Sequence, residues 1–215
     1  MSNELDVFLE NNTNVSRETI EKLAVFRSFL IEKNQQFNLV SKNEISKIWI
    51  RHIQDSLRLL SLLEQKKDTL TTVLDIGSGG GFPAIPIATA LRNQNYHFTL
   101  CESIRKKSNF LSMSSDLLEL TNTKIINSRV EDIINISFDV ITCRAVAKLS
   151  NIFTYTHHLL KQNSVFLLHK GIKVEEEIIN ANKQWFFEHE LIENKLEEGS
   201  FILKVKNLKK HNKIK

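Results

Sequence analysis

The tightest constraint on this chain lies near its middle, in Leu74-Asp75-Ile76-Gly77-Ser78-Gly79-Gly80-Gly81-Phe82-Pro83-Ala84-Ile85-Pro86. The whole sequence has six glycines and two prolines, and four of the glycines and both prolines fall here. Apolar β-formers, Thr72-Val73-Leu74, precede the segment, and a helix-compatible apolar run, Ala84 to Leu91, follows it. The order is strand, glycine turn, helix. Gly77 and Gly79 reach positive φ without a Cβ clash and let a ligand approach the backbone. Pro83 suits the first turn of a helix, where a missing N–H costs nothing. The remaining N–H groups of that turn face outward, toward a ligand.

The flanking residues narrow the ligand. A dinucleotide site favours G-x-G-x-x-G, with an acid about 20 positions on. Position 82 is Phe, so the third glycine of that pattern is missing. The spacing is instead acid-x-Gly-x-Gly-x-Gly, beginning at Asp75. This resembles motif I of class I S-adenosylmethionine-dependent methyltransferases. The resemblance implies that Asp75 orders the loop and orients the methionine end of the cofactor. It also implies a second acid, after the next strand, on the ribose hydroxyls. His97–Cys101 reads as that strand and Glu102 follows it directly. A nicotinamide dinucleotide and a glycine loop with no ligand are the competing readings.

With 215 residues, the chain suits one domain with a full core and a modest extension. No apolar run approaches the ~20 residues that span a bilayer, and the acidic start Met1–Asp6 lacks a signal-peptide pattern. Cys101 and Cys143 lie in apolar strand-like stretches and read as buried free thiols in a reducing compartment. A net charge of +4 permits a nucleic-acid partner without requiring one.

The pattern from Ser16 to about Gln65 is helical, with a short turn at Phe37–Ser41 and a second helical stretch from Asn43. After Lys66-Lys67-Asp68 short apolar strands alternate with helices. The strands are 73–76, 98–101, 123–126, 138–142 and 165–169. The helices are 83–91, 105–120, 146–160 and 174–181. Such alternation predicts an α/β fold with a mostly parallel sheet covered on both faces. Segments 185–191 and 200–206 read as a closing hairpin. The organisation expected is a helical extension over 1–68, a ligand-binding domain over 69–206 and a basic tail over 207–215.

Ligands in such sheets sit at the carboxyl ends of the strands. After the third strand come Val130, Glu131 and Asp132; class I methyltransferases commonly contact adenine there. An acidic helix start favoured by the helix dipole is the alternative. After the fourth strand come Cys143 and Arg144. Cys143 lacks the activating company that a nucleophile needs. Arg144 suits a carboxylate, a phosphate or a purine face; a salt bridge to Asp75 or Glu131 is the alternative. His52 and Asp55, three apart on one helical face, either approach the reacting groups or brace the N-terminal unit against the sheet. The seven histidines are scattered, and no metal site is expected. Arg105, Lys106 and Lys107 open a helix at the end whose dipole opposes cations, and phosphate contact is one explanation for them.

Taken in order, Phe37–Ser41, Arg51–Leu57, Asp75–Pro86, Glu102–Leu111, Ser128–Glu131, Cys143–Ala145 and Lys170-Gly171 resemble the ribosomal RNA small subunit methyltransferase G family, also called glucose-inhibited division protein B. The resemblance runs over about residues 20–175. It implies a Rossmann-like, seven-stranded class I methyltransferase fold. It implies S-adenosylmethionine as cofactor and methylation of guanine N7 in bacterial 16S ribosomal RNA. Gly77, Phe82, Val130-Glu131 and Arg144 match the family's cofactor contacts; Asp75, Ser78, Gly79, Gly81, Glu102 and Ser103 complete the expected set. Arg144, His52 and Asp55 are the expected catalytic group, and Arg105, Lys106, Lys107 and Lys170 the expected RNA contacts. The partner implied is 16S RNA or the small subunit, met by a cytoplasmic monomer. Many members carry serine where this chain has Cys143.

Overall fold

A computed structural model describes residues 4–63, 69–194 and 197–211. After α1 (Glu4–Asn11) and α2 (Arg17–Phe37) comes a run of short turns, then a seven-stranded sheet. Its strands are β1 (Thr71–Ile76), β2 (Tyr96–Cys101), β3 (Thr123–Ile126), β4 (Phe138–Arg144), β5 (Leu160–Lys170), β6 (Trp185–Glu193) and β7 (Phe201–Lys210). They lie in the order β3-β2-β1-β4-β5-β7-β6. The first five are parallel, and β7 enters antiparallel between β5 and β6. The seven-stranded, mostly parallel sheet expected from the sequence is borne out. No described helix is long and apolar enough to cross a membrane.

Side-chain alternation divides the sheet between two cores. Val73, Val140 and Leu167 face a cluster that includes Leu23, Phe26, Leu30, Trp49 and Ile53. Leu74, Ile141 and Leu168 face a second, with Leu149 and Phe153 of α6 (Leu149–Thr156) and Val174 and Ile178 of α7 (Val174–Ala181). Helix α4 (Ala84–Ala90) and Phe110 of α5 (Arg105–Leu117) pack on the first face. The N-terminal helices therefore share one core with the sheet.

Two local expectations are corrected. The stretch from Asn43 is not one helix. It is a 3₁₀ segment (Lys42–Lys47), a π turn (Trp49–Gln54), the short α3 (Asp55–Leu57) and another 3₁₀ segment (Arg58–Leu62). His52 to Leu57 are all buried, and a regular amphipathic helix would turn some of them to water. The basic end is also more ordered than a tail. Strand β7 runs to Lys210, with Lys209 opposite Phe186 and Lys210 opposite Trp185. The Lys210 ammonium lies 5.7 Å from the Trp185 ring centroid. The rest of the expected tail, 212–215, lies outside the described residues, as does the expected domain boundary at 68.

Helix α2 ends at Asn38, whose φ of 51° is left-handed. Buried Asn34 stabilises that exit. Its Oδ1 accepts the N–H of Leu39 at 2.7 Å and of Val40 at 2.9 Å, and its Nδ2 donates to the Val40 carbonyl at 3.0 Å. The turn so fixed leans on the glycine loop: a Cβ on Gly80 would lie 3.2 Å from the Leu39 carbonyl oxygen. Asn34→Ala removes all three bonds and strands two buried-side N–H donors. A loss of about 2–4 kcal/mol is expected in chemical denaturation, from the usual cost of each unpaired group. An unchanged midpoint would show that the turn holds itself.

Candidate functional site

Strand order reverses between β1 and β4, and in such sheets ligands bind in the crevice beyond the strand ends there. The loop after β1 lies at that point. Gly77, Gly79 and Gly81 have φ of 62°, 50° and 89°. The N–H groups of Gly77 and Ser78 donate to the Cys101 carbonyl at 2.8 and 3.2 Å. Beyond them the chain turns through the cis Phe82–Pro83 bond into α4. Pro83 is the residue before the helix, not its first member.

Glu102 follows β2 as expected, with 6% of its surface exposed. Its Oε2 accepts the Gly79 N–H at 3.0 Å and its Oε1 the Ile104 N–H at 2.8 Å. One carboxylate thus ties the glycine loop to the start of α5. Each oxygen keeps a lone pair for a further donor, so ribose hydroxyls are compatible with this arrangement. Asn127 supports the same loop from β3, donating to the carbonyls of Glu102 and Ser103 at 2.8 and 3.1 Å.

Asp75 lies on β1 beneath the glycines and is 1% exposed. Its Oδ1 accepts from the Thr142 hydroxyl at 2.8 Å. Its Oδ2 is buried without a partner. Burial raises its pKa from 3.8 to about 7; the neighbouring hydroxyls of Ser78 and Thr142 oppose the shift and the charge of Glu102 adds to it.

Val130 to Asp132 form a 3₁₀ turn after β3, with Val130 buried and Glu131 exposed. Both stand at the strand end where an adenine contact was expected. At the end of β4, Cys143 points into the second core, 2% exposed, and burial pushes its thiol up to about 12. Arg144 points the other way. It pairs neither with Asp75 nor with Glu131: its Nη2 donates to the Arg51 carbonyl at 2.6 Å, and its Nη1 stands 3.6 Å from Asp55 Oδ2. Ala145 then takes a φ of 55°, which costs an L-residue roughly 1 kcal/mol. That bend brings Val146 over the loop, where a Cβ on Gly77 would lie 2.6 Å from Val146 Cγ2.

The N-terminal unit closes the other side. His52 is 6% exposed and its ring lies 4.7 Å from that of Phe82, tilted 34°. Burial, with the nearby charge of Arg144, lowers its pKa to about 4, so it is neutral at pH 7. Asp55 is 4% exposed and pairs with Arg58 at 3.0 Å, which braces this unit.

Ten buried polar side-chain atoms lack a hydrogen-bond partner among the described residues. Four of them, both ring nitrogens of His52, Asp75 Oδ2 and Arg144 Nη1, belong to residues gathered around the glycine loop and the end of β4. Native interiors satisfy nearly all such groups, so their concentration here marks a place for a polar ligand. With three left-handed glycines and the Glu102 carboxylate, the donor set fits a nucleoside-bearing sulfonium such as S-adenosylmethionine. An open groove of about 810 Å³, lined by Asn34, Gln35, Asn38, Leu39, Ser41 and Lys42, adjoins the turn that leans on Gly80.

Known proteins agree with this geometry. The family model of rRNA small subunit methyltransferase G, GidB, matches residues 19–202. The chain belongs to this family. The ribosomal RNA small subunit methyltransferase G of Gluconobacter oxydans is 38% identical over 198 residues, 92% of this chain and 98% of that protein. Its namesake in Rickettsia akari is 38% identical over 196 residues, 91% of this chain and 98% of that protein. Among solved structures, M. jannaschii TYW2 in complex with AdoMet is 18% identical, with a TM-score of 0.51 over 73% of this chain and 74% of that one. A SAM-dependent methyltransferase from Aquifex aeolicus is 15% identical, with a TM-score of 0.54 over 72% and 89%. These two show the fold. The methyltransferase family expected from the motifs is therefore borne out.

In this GidB chain the expected cofactor residues all lie at the carboxyl ends of β1 to β4: Asp75 and Arg144 within their strands, and Gly77, Ser78, Gly79, Gly81, Phe82, Glu102, Ser103, Val130 and Glu131 on the segments that follow. Of the expected RNA contacts, Arg105 and Lys106 are exposed at the start of α5 and Lys107 is half-buried. Lys170 is different. Its side chain is 6% exposed, and its Nζ is committed to Glu177 at 2.7 Å and to the Ala147 carbonyl at 3.1 Å. It holds β5 against α7 and does not face outward. Sequence reasoning missed Asn34, Asn127, Thr142, His169 and Asn194. Each acts across a long separation in the chain or as a lone polar residue with no motif around it.

The buried acid gives a signed expectation. In the unfolded chain Asp75 ionises near 3.8, while in the folded chain it keeps its proton to about 7. Its contribution to stability therefore falls as pH rises through that window and is constant above it. Asp75→Asn keeps an acceptor for Thr142 and removes the titration. The variant's stability relative to the parent should rise between about pH 4.5 and pH 7.5, as read by denaturant unfolding at each pH. A pH-independent difference would show that Asp75 is ionised in the folded chain.

Proposed function

We propose that this chain transfers a methyl group from S-adenosylmethionine to N7 of a guanine in 16S ribosomal RNA, acting as a monomer in the cytoplasm. The observation that carries the reading is the crevice itself: a left-handed glycine loop held by Glu102, bordered by Asp75, His52 and Arg144, in a chain of the GidB family. Its relatives bear the name of small-subunit ribosomal RNA methyltransferases.

When bound, S-adenosylmethionine supplies a methyl carried on a positively charged sulfur. Guanine N7 has an in-plane lone pair and no proton, so the chain needs no general base to start the reaction. The residues fit that demand. His52 is neutral but sealed against Phe82, and Cys143 is a buried thiol with its pKa pushed up to about 12. A cytosine-type mechanism needs a thiolate that Cys143 does not supply. What the residues do instead is hold two reactants in line and exclude water. Arg144, with its free Nη1, is the group at hand for orientation, and the exposed Arg105 and Lys106 at the start of α5 supply cations for RNA phosphates. Lys170 takes no part in RNA contact on this reading.

Two measurements test it. Mass spectrometry of digested 16S RNA from cells with and without the gene should find one N7-methylguanosine that disappears with the gene; an unchanged nucleoside set overturns the RNA assignment. Replacing Arg105 and Lys106 together by alanine should flatten the log–log salt dependence of RNA binding by roughly 0.7–0.9 per lost phosphate contact. Cofactor affinity should stay near that of the parent. An unaltered slope would place the RNA on another surface.

A further inference from the structure

Alternation along three strands puts Asp75, Thr142, Arg144 and His169 on the face that the N-terminal unit covers. Their neighbours on that face, Val73, Val140 and Leu167, belong to the first core, while Leu74, Cys143 and Leu168 belong to the second. Into this row the N-terminal unit lowers one carboxylate, Asp55, with a side chain 5% exposed.

The two oxygens of Asp55 do different things. Oδ1 accepts from Arg58 Nη1 at 3.0 Å and from Asn194 Nδ2 at 3.4 Å. The Asn194 contact, with Arg58 Nη2 donating to the Glu193 carbonyl at 3.0 Å, fastens the N-terminal unit to the end of β6. Oδ2 stands 3.4 Å from His169 Nε2 and 3.6 Å from Arg144 Nη1. His169 Nε2 also lies 3.0 Å from the Asp55 carbonyl oxygen. A carbonyl oxygen only accepts, so Nε2 carries the proton it donates there.

Arg144 is fixed at one prong and attracted at the other. Nη2 donates to the Arg51 carbonyl at 2.6 Å. Nη1 is within ion-pair reach of Oδ2 but makes no hydrogen bond. The ion pair holds the guanidinium in place and leaves the buried Nη1 without a hydrogen bond. Bracing alone needs only the Oδ1 contacts and the His169 bond to the Asp55 carbonyl; it does not account for a second carboxylate oxygen turned toward Arg144.

We propose that Asp55, itself held by His169, is a positioning residue that aims the free Nη1 donor of Arg144 into the cofactor crevice. This rests on the reading of that crevice as the S-adenosylmethionine site. Asp55→Asn isolates the effect. The amide oxygen still accepts from Arg58, while its NH₂ group meets the His169 N–H and Arg144 as donor against donor. The volume is unchanged and the aim is lost.

The test is a double-mutant cycle on the full chain, with S-adenosylhomocysteine as the probe in titration calorimetry and melting temperatures alongside. Asp55→Asn should weaken binding about tenfold, the cost of one misdirected charge-assisted bond. With Arg144→Ala already present, the same change should matter less than twofold. His169→Gln, which keeps a donor near Nε2, should retain more affinity than His169→Leu. Equal losses in the two Arg144 backgrounds would overturn the proposal, because Asp55 would then act without Arg144. So would unchanged affinity with a lowered melting temperature, which would leave Asp55 a brace. If Asp55→Asn does not fold, the two His169 variants carry the same comparison in both backgrounds. A parent protein that binds no S-adenosylhomocysteine overturns the site reading itself, and this inference with it; that result is distinct from binding that ignores Asp55.

Discussion

Glu102 accepts the N–H of Gly79 through one oxygen and that of Ile104 through the other. Much of the crevice depends on that grip. Left alone, a loop with three glycines at positive φ has no side chains to choose one conformation, and glycine loses the most backbone entropy on ordering. A nearly buried carboxylate with two amide donors offsets part of that cost, because charge-assisted bonds are the strong ones. Asn127 fixes the backbone of the same carboxylate from the neighbouring strand. The first three strands thus hold the loop before any ligand is considered, and a loop ordered in advance binds without meeting the ordering cost again.

The opposite wall is built from charge instead of backbone. Asp55, Arg58, Arg144 and His169 meet where the N-terminal unit covers the sheet, and all are largely removed from water. A buried ion cluster is weak evidence for stability, since desolvation consumes most of the attraction. An apolar plug of the same volume would pack as well. What the cluster supplies is direction: it joins the ends of β4, β5 and β6 to the turn that carries His52. His52 in turn lies against Phe82 of the glycine loop. The N-terminal unit is therefore one wall of the site as well as part of the core, because Phe26 also touches Phe82, with ring centroids 5.6 Å apart.

The parts of this design that are local in the chain were legible in the sequence. Strand β3 and helix α7 stand where the apolar periodicity puts them, because each is a short element bounded by polar residues. The glycine turn was legible for a steric reason: few other residues accept such φ values. The run from Lys42 to Leu62 was not legible, because its apolar and polar residues serve two neighbours at once and its turn width changes three times. Glu102 was identified as a site residue, yet its grip on Gly79 spans 23 positions, and no local pattern reports it. Lys170 misled for the opposite reason. A lysine after a strand reads as a surface cation, and only the fold shows Glu177 one helix away, taking up its charge.

Cys143 and Arg144 show how finely the chemistry depends on strand register. They are consecutive, and a β-strand sends consecutive side chains to opposite faces. Cys143 enters the apolar core under α6 and α7, where burial keeps it a neutral thiol. Arg144 enters the face shared with Asp75 and Asp55. A slip of one residue between β1 and β4 would exchange them, placing a thiol at the crevice and burying a guanidinium among Leu149, Phe153 and Val174. The second outcome is the costlier, since an unpaired buried cation is penalised far more than a thiol in water is. Burial of the apolar set thus fixes the register. The register then leaves an orienting cation at the crevice and no nucleophile, which suits a base that attacks through its own lone pair.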